Sequence, residues 1–301
     1  MIIGKTIWKP LLQKAVTGRA RRFRMLRTQP QWPGQLSSPG LYLHVPFCRN
    51  LCPYCPYNRV EYDDDLFAAY ERAVKQEIDL YAPRLRGESF SSLYIGGGTP
   101  TVNWHGLVSI LHHLRERIGQ ANDICVELHP GHMDTECLSS LKDAGVTMLS
   151  IGVESTSDAL LEQIKRSHDG QAGIAAVSRA LEMGFESLNV DLMFALPGQT
   201  LAEWQTDVRA IVDLGIDQLS TYPMFYFPYS DLGQARRISH VERPPHRTIK
   251  AMLAFTDEYC EEKGLQRCAV WSWLTGQRQV QFNQPTSLHR IRPKCRLHDR
   301  I

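Results

Sequence analysis

Cys48, Cys52 and Cys55 fall within eight consecutive positions of a 301-residue chain, and His44 stands just ahead of them. The C-x₃-C-x₂-C spacing lets three thiolates on one loop reach the corners of an iron–sulfur cubane. A [4Fe–4S] cluster has four irons, so three cysteines leave one iron free to bind a small molecule and pass an electron into it. A zinc site with His44 or a remote residue as fourth ligand satisfies the same spacing. Spacing alone leaves both open, with the cluster ahead.

The second feature is Gly96-Gly97-Gly98-Thr99-Pro100, which follows Tyr94-Ile95. A run of glycines lets a ligand approach the backbone and leaves N–H and C=O groups free to bind it. By itself such a run is more often a tight turn. Forty-one residues separate Cys55 from Gly96, room for one long helix and one strand, so the two loops become neighbours. The pairing is more specific than either part, and it favours the cluster.

The elements that must position these loops repeat along the chain. Strand-like runs occur at Leu41–Val45, Ser92–Ile95, Ile124–Leu128, Met148–Val153, Ser187–Met193 and Gln218–Tyr222, with helical periodicity between them. Leu66, Tyr70, Val74 and Ile78 recur at four-residue steps. Thr200 with Glu203 reads as a capping box. Gly145, Gly184 and Gly215 each precede an apolar residue, as expected of helix C-termini in left-handed conformation. Alternating strands and helices imply a parallel sheet with right-handed crossovers. Six units in about residues 40–230 are fewer than the eight of a closed barrel, so a partial (β/α)6 TIM-like barrel is expected, with a doubly wound sheet as the alternative. In both, ligands belong at the C-terminal ends of the strands.

Composition narrows the function classes. Hydrophobic residues make up 43% and charged residues 22%, an ordinary globular balance. The net charge is +2, yet residues 1–30 carry eight Lys/Arg and no acid, and residues 277–301 carry six against Asp299. That leaves residues 31–276 with 20 basic and 31 acidic residues, a poor duplex-DNA binder, so no nucleic acid is expected as partner. Eight cysteines in a chain of this length are not expected to form a secreted disulfide scaffold, and since Lys5 and Lys9 interrupt the apolar N-terminal stretch, no signal peptide is expected. A reducing cytoplasm is the expected location. Ile3, Ile7, Leu11 and Leu12 suggest a short amphipathic helix in the basic segment 1–39. A cover over the barrel is the expected role; membrane-surface contact is the alternative, and no second anchoring signal supports it.

Several motifs in order carry a resemblance: LYLHVPFC, CPYC, YIGGGTPT, ELHPG, SIGVES, NVDLMFALPGQT and LSTYPM, spanning Leu41 to about Tyr229. The chain resembles radical S-adenosylmethionine (SAM) enzymes of the oxygen-independent coproporphyrinogen III oxidase-like family. That resemblance implies a [4Fe–4S] cluster on Cys48, Cys52 and Cys55, with SAM chelating the open iron. It implies Tyr54 beside the adenine, Gly97 and Gly98 with Glu127 around the methionyl amine, Arg166 on the SAM carboxylate, and Glu154 and Asp191 at the ribose hydroxyls. Glu154 stands where the family's oxidase has Gln; a carboxylate still accepts from both hydroxyls. Asp191 in an apolar strand is costly unless paired, which also suits a ligand role. Tyr42 matches a tyrosine near the sulfonium and is the expected catalytic residue, with an inward-facing core tyrosine equally allowed. The bland alternatives are a salt-bridged rim residue for Glu127 and a solvated helix-end residue for Arg166. His129 and His132 flank Pro130-Gly131 and are expected to shape a loop; Cys125 and Cys137 are expected in the core.

The implied reaction is reductive cleavage of SAM to a 5′-deoxyadenosyl radical, acting on a tetrapyrrole or haem, with a flavodoxin- or ferredoxin-type electron donor. Two departures qualify it. The oxidase carries a further cysteine two positions after its third cluster cysteine, where this chain has Tyr57; relatives with an aromatic residue there include haem-trafficking proteins. Val270-Trp271-Ser272-Trp273 still resembles the family, whereas residues 276–301 do not. Residues 231–301 therefore read as a short, incomplete C-terminal region, with a truncated and inactive product as a further alternative.

Overall fold

The chain is described here by a computed structural model covering residues 39–85, 87, 90–226 and 243–275. The expected amphipathic segment at 1–39 and the basic stretch at 276–301 lie outside the described residues, apart from Pro39.

Six strands form the frame: β1 (Gly40–Val45), β4 (Phe90–Gly97), β5 (Ala121–Leu128), β6 (Met148–Glu154), β7 (Ser187–Phe194) and β8 (Gln218–Pro223). They pair in parallel in that order. The six runs expected from the sequence coincide with these strands to within a few residues. The reason is clearest in β6 and β7, whose burial on both faces demands near-continuous apolar runs: only Gly152 and Glu154 of β6 and Asp191 of β7 escape full burial. A two-stranded parallel ribbon, β2 (Phe47–Cys48) and β3 (Val60–Glu61), stands beside the sheet.

Helices cross between the strands: α1 (Asp64–Leu85), α2 (Trp104–Ile118), α3 (Thr135–Asp143), α4 (Asp158–Gln163), α5 (Gly170–Glu182) and α6 (Leu201–Val212). The Thr200 capping box opens α6 with both reciprocal bonds in place. Gly145, Gly184 and Gly215 take the expected positive φ of 94°, 66° and 85°.

The sheet does not end at β8. Helix α7 (His246–Glu262) leads into β9 (Leu265–Ala269) and β10 (Ser272–Thr275), and β10 pairs antiparallel with β8. Among the described residues the sheet thus has eight strands, ordered β1-β4-β5-β6-β7-β8-β10-β9, and is open. The boundary expected at residue 230 lies outside the described residues. Trp204 of α6 fixes the addition, donating its indole N–H to the Met252 carbonyl and Thr256 Oγ1, each at 3.0 Å. The fold is the partial TIM-like barrel of parallel strands expected, extended by one hairpin.

One large apolar core joins sheet and helices. A second, smaller cluster of Leu160, Leu161, Ile164, Met193, Leu196 and Met224 sits at the C-terminal ends of β6 to β8, with Tyr54 packed against it.

Candidate functional site

The cysteine loop is closed before it is chemical. Phe47 and Cys48 pair with Val60 and Glu61, so the segment carrying Cys52 and Cys55 is tied at both ends. Phe47 anchors the ribbon: it is 1% exposed, and its ring meets Phe67 and Tyr70 at 5.2 and 5.3 Å. Arg59 reaches back into the loop and donates to the carbonyls of Cys52 and, at 3.3 Å, Cys55. The Cys55 N–H closes a turn onto the Cys52 carbonyl at 3.2 Å. Cys48 is buried, and Cys52 and Cys55 are half-buried.

The glycine run docks on this loop. The N–H of Gly98 donates to the Val45 carbonyl at 2.8 Å and that of Thr99 to the Phe47 carbonyl at 2.7 Å. The fit requires the missing side chains: a Cβ on Gly98 would lie 2.5 Å from the Phe47 carbonyl oxygen and 2.9 Å from Cys48 Sγ. Gly97 has φ of +123°, and a Cβ there would strike His44 at 2.7 Å. The two loops that the sequence pairs are thus in contact.

His44 does not point a free nitrogen at the cysteines. Its Nδ1 meets the Tyr42 hydroxyl and its Nε2 the Asn58 carbonyl, both at 2.9 Å. Among the described residues no group of three or more His, Cys, Asp and Glu closes around one point as a single ion needs. A cubane, which takes each thiolate on a different iron, does not need that arrangement.

Glu127 ends β5 under the glycines. Its carboxylate accepts from the Gly97 N–H at 3.0 Å and from the Tyr94 hydroxyl at 2.5 Å. It has no salt bridge among the described residues, so the rim ion pair is not its role; burial pushes its pKa up. Glu154 ends β6 beyond an irregularity in pairing with β7, in left-handed backbone conformation at φ 68°. That strained conformation, sparsely populated without glycine, turns the carboxylate toward the cysteine loop. Burial raises the Glu154 pKa, and Arg166 opposes the rise.

Arg166 is no solvated helix end: its side chain is 9% exposed. It donates to the Gly152 carbonyl, lies 3.9 Å from Glu154 Oε1 and places Nη1 3.9 Å from Cys52 Sγ, while its Nε is buried with no partner. Tyr54 rests on the small apolar cluster, in the electrostatic field of the Glu154 carboxylate. Asp191, on β7, accepts from Asn189 Nδ2 at 2.9 Å and Ser150 Oγ at 3.2 Å. Burial, then the negative charge of Glu154, push its pKa up to about 8. Tyr42 is 60% exposed, which removes the core alternative; it stacks on Tyr94 with ring centroids 6.1 Å apart.

The expected site residues thus lie at the C-terminal ends of neighbouring strands or on the loops that follow, except Tyr42 and Asp191, which stand within β1 and β7. His129 and His132 shape a loop as expected, with His129 Nδ1 accepting from the Gly131 N–H at 3.0 Å. Cys125 and Cys137 are buried. Three participants escape a sequence reading: Arg59, Tyr94 and Asp207. Asp207, buried on α6, accepts from Ser155 Oγ, Thr156 N–H and Thr156 Oγ1 at 2.9, 2.7 and 2.6 Å, and so holds the turn after Glu154. The one available signal was an aspartate on the apolar face of an amphipathic helix.

Comparison with known proteins places this geometry. The profile of the Radical SAM superfamily matches residues 42–211, more than half of the chain. The heme chaperone HemW of Bacillus subtilis is 29% identical over 233 residues, covering 76% of this chain and 62% of its own length. The anaerobilin synthase of Escherichia coli O157:H7 is 30% identical over 220 residues, covering 70% of this chain and 49% of its own. The structure of coproporphyrinogen III oxidase (HemN) from Escherichia coli superposes with a TM-score of 0.74 at 27% identity, over 82% of this chain and 58% of that one. The chain spans about half to three-fifths of the length of these relatives.

Proposed function

The chain belongs to the radical SAM superfamily, and we propose that it binds a [4Fe–4S] cluster through Cys48, Cys52 and Cys55 and SAM beside it, to act on a tetrapyrrole. One observation carries the reading: a tied loop of three thiols lies against a side-chain-free glycine cradle, with Glu127, Glu154, Asp191 and Arg166 gathered at the same strand ends.

The residues fit the group. Three half-buried carboxylates, Glu127, Glu154 and Asp191, share the site with the guanidinium of Arg166, which lies 3.9 Å from Glu154 Oε1, an excess of acid that suits a ligand carrying a sulfonium and an ammonium. The orphaned Nε of Arg166 leaves a donor for a carboxylate. When bound, the cluster and SAM supply one-electron cleavage of the sulfonium to methionine and a 5′-deoxyadenosyl radical, which abstracts hydrogen from carbon.

The chain's own part is to hold and to shield. Arg59 fixes the loop carbonyls and Cys48 Sγ accepts from Thr99 Oγ1 at 3.8 Å. Glu127, oriented by Tyr94, presents its second oxygen beside the Gly97 N–H, where an ammonium binds. Glu154 and Asp191 accept from ribose hydroxyls, and Tyr54 offers a ring beside Glu154 for the adenine. Tyr42, exposed and stacked on the Tyr94 ring, is the residue that would stand beside the sulfonium. The unit that does this is the barrel of residues 40–230, fed by a flavodoxin- or ferredoxin-type donor in a reducing cytoplasm. Among the described residues no helix is long and apolar enough to cross a membrane.

A tetrapyrrole is the chemistry shared by coproporphyrinogen and heme in the relatives' names. A second reading, a haem chaperone on the same scaffold, is favoured by Tyr57: it is 67% exposed where the oxidase carries a cysteine. Anaerobic reconstitution with dithionite separates the two. Formation of 5′-deoxyadenosine supports the enzyme; stoichiometric haem uptake without SAM cleavage supports the chaperone; a colourless product after iron and sulfide addition sinks both.

A further inference from the structure

A cavity of about 600 Å³ opens beside the cysteine loop, and none of Glu127, Glu154, Arg166 or Asp191 lines it. Its walls come from five separate places: Arg49, next to Cys48; Tyr62, after the ribbon; the turns that follow β4 and β5; and Arg179 on α5. That size lies within the roughly 300–1,000 Å³ of small-molecule pockets.

The charge in it is unbalanced. Arg49 and Arg179 have no salt-bridge carboxylate among the described residues, although residues 31–276 as a whole are acidic. Both guanidiniums are nonetheless held in place. Arg49 lies 5.0 Å over the Tyr62 ring, and Arg179 Nη1 donates to the Met133 carbonyl at 3.1 Å, which leaves its other donors uncommitted. The single carboxylate in the lining, Asp134, accepts from the Cys137 N–H at 2.8 Å as the cap of α3. His132 feels the positive field: burial, then Arg49, then Arg166 lower its pKa, so it enters as a neutral donor or acceptor. Trp104 adds a flat apolar wall. Two planar guanidiniums with unfilled donors in one cavity select a carboxylate or phosphate, and the aromatic wall selects a ring attached to it.

We infer that this cavity is a second ligand site, separate from the proposed cofactor site, that takes a small aryl dianion, phosphorylated or dicarboxylated, between Arg49 and Arg179. Its occupant lies against the residue that follows Cys48, so binding also changes the charge next to the cysteine loop. The inference does not rest on the cofactor reading.

The test is calorimetric titration of the reconstituted protein, in saturating SAM, with phenyl phosphate, phthalate and inorganic phosphate. Saturable binding at one site per chain is expected, with an aryl ligand tighter than inorganic phosphate; the better of phenyl phosphate and phthalate identifies the anion. Arg49→Gln and Arg179→Gln each weaken binding about tenfold or more, the loss of one charged hydrogen bond. Arg49→Lys retains part of the affinity, Trp104→Ala removes the preference for the aryl ligand, and SAM affinity is unchanged in all four. Absence of saturable binding, or wild-type affinity in both Gln variants, overturns the inference. So does binding of an acidic protein reductant alone, lost in the same variants, which would make this flank a docking face. Loss of SAM binding with intact anion binding would strike the cofactor reading and leave this one standing.

Discussion

The Arg166 guanidinium lies 3.9 Å from the Cys52 sulfur and 3.9 Å from a Glu154 carboxylate oxygen, so one cation touches both the thiol loop and the acidic strand ends. Replacing it with alanine leaves Glu154 buried beside no cation. Arg166→Ala is expected to weaken SAM binding by roughly 1.5–3 kcal/mol, the worth of a charged hydrogen bond. Equilibrium binding under anaerobic conditions checks it, and an unchanged affinity removes Arg166 from the site.

Cys52→Ala deletes one corner of the thiolate trio. The variant should lose the brown absorbance, and iron analysis should fall well below the ~4 atoms per chain of a loaded cluster. Full iron retention would contradict the ligand assignment.

Gly98→Ala tests the cradle without removing a cluster thiol. The added Cβ meets backbone oxygen at 2.5 Å and Cys48 Sγ at 2.9 Å, so the glycine turn or the ribbon must move. A loss of about 1–3 kcal/mol of stability is expected for such overpacking, together with poorer cluster retention on chelator challenge. Wild-type retention kinetics would show that the two loops are not rigidly docked.

Asp191 predicts a pH dependence in the cofactor-free protein. Its carboxyl pKa is raised from an ordinary 3.8 to about 8, so the folded state holds a proton that the unfolded chain has already released. Between about pH 4 and pH 8 this group lowers the unfolding free energy as pH rises, by up to ~1.4 kcal/mol per pH unit. Urea unfolding of wild type and Asp191→Asn across pH 5–8 should show a shallower fall in the variant. Parallel curves would mean that Asp191 is ionised throughout.

Much of the frame was legible because buried parallel strands must be continuous apolar runs, and because glycine at helix ends and the Thr200–Glu203 box are local signals. Strands β9 and β10 were not. Leu265–Ala269 is short, and Gln266, Arg267 and Cys268 are exposed, so no periodicity marks it. Its place depends on α7 docking through Trp204, a contact between distant segments. In the site, Cys48, Cys52, Cys55 and the glycines announced themselves by spacing. Arg59 and Tyr94 did not, since an arginine after a loop and a tyrosine in a strand resemble any other until the fold brings them to the Cys52 carbonyl and to Glu127.

The grip of Asp207 on Ser155 and Thr156 makes an outer-layer helix responsible for the posture of Glu154. Substitutions along the buried flank of α6 can therefore retune this pocket remotely, without altering any group that lines it. Directed evolution of such a barrel would find productive changes one layer away from its ligand.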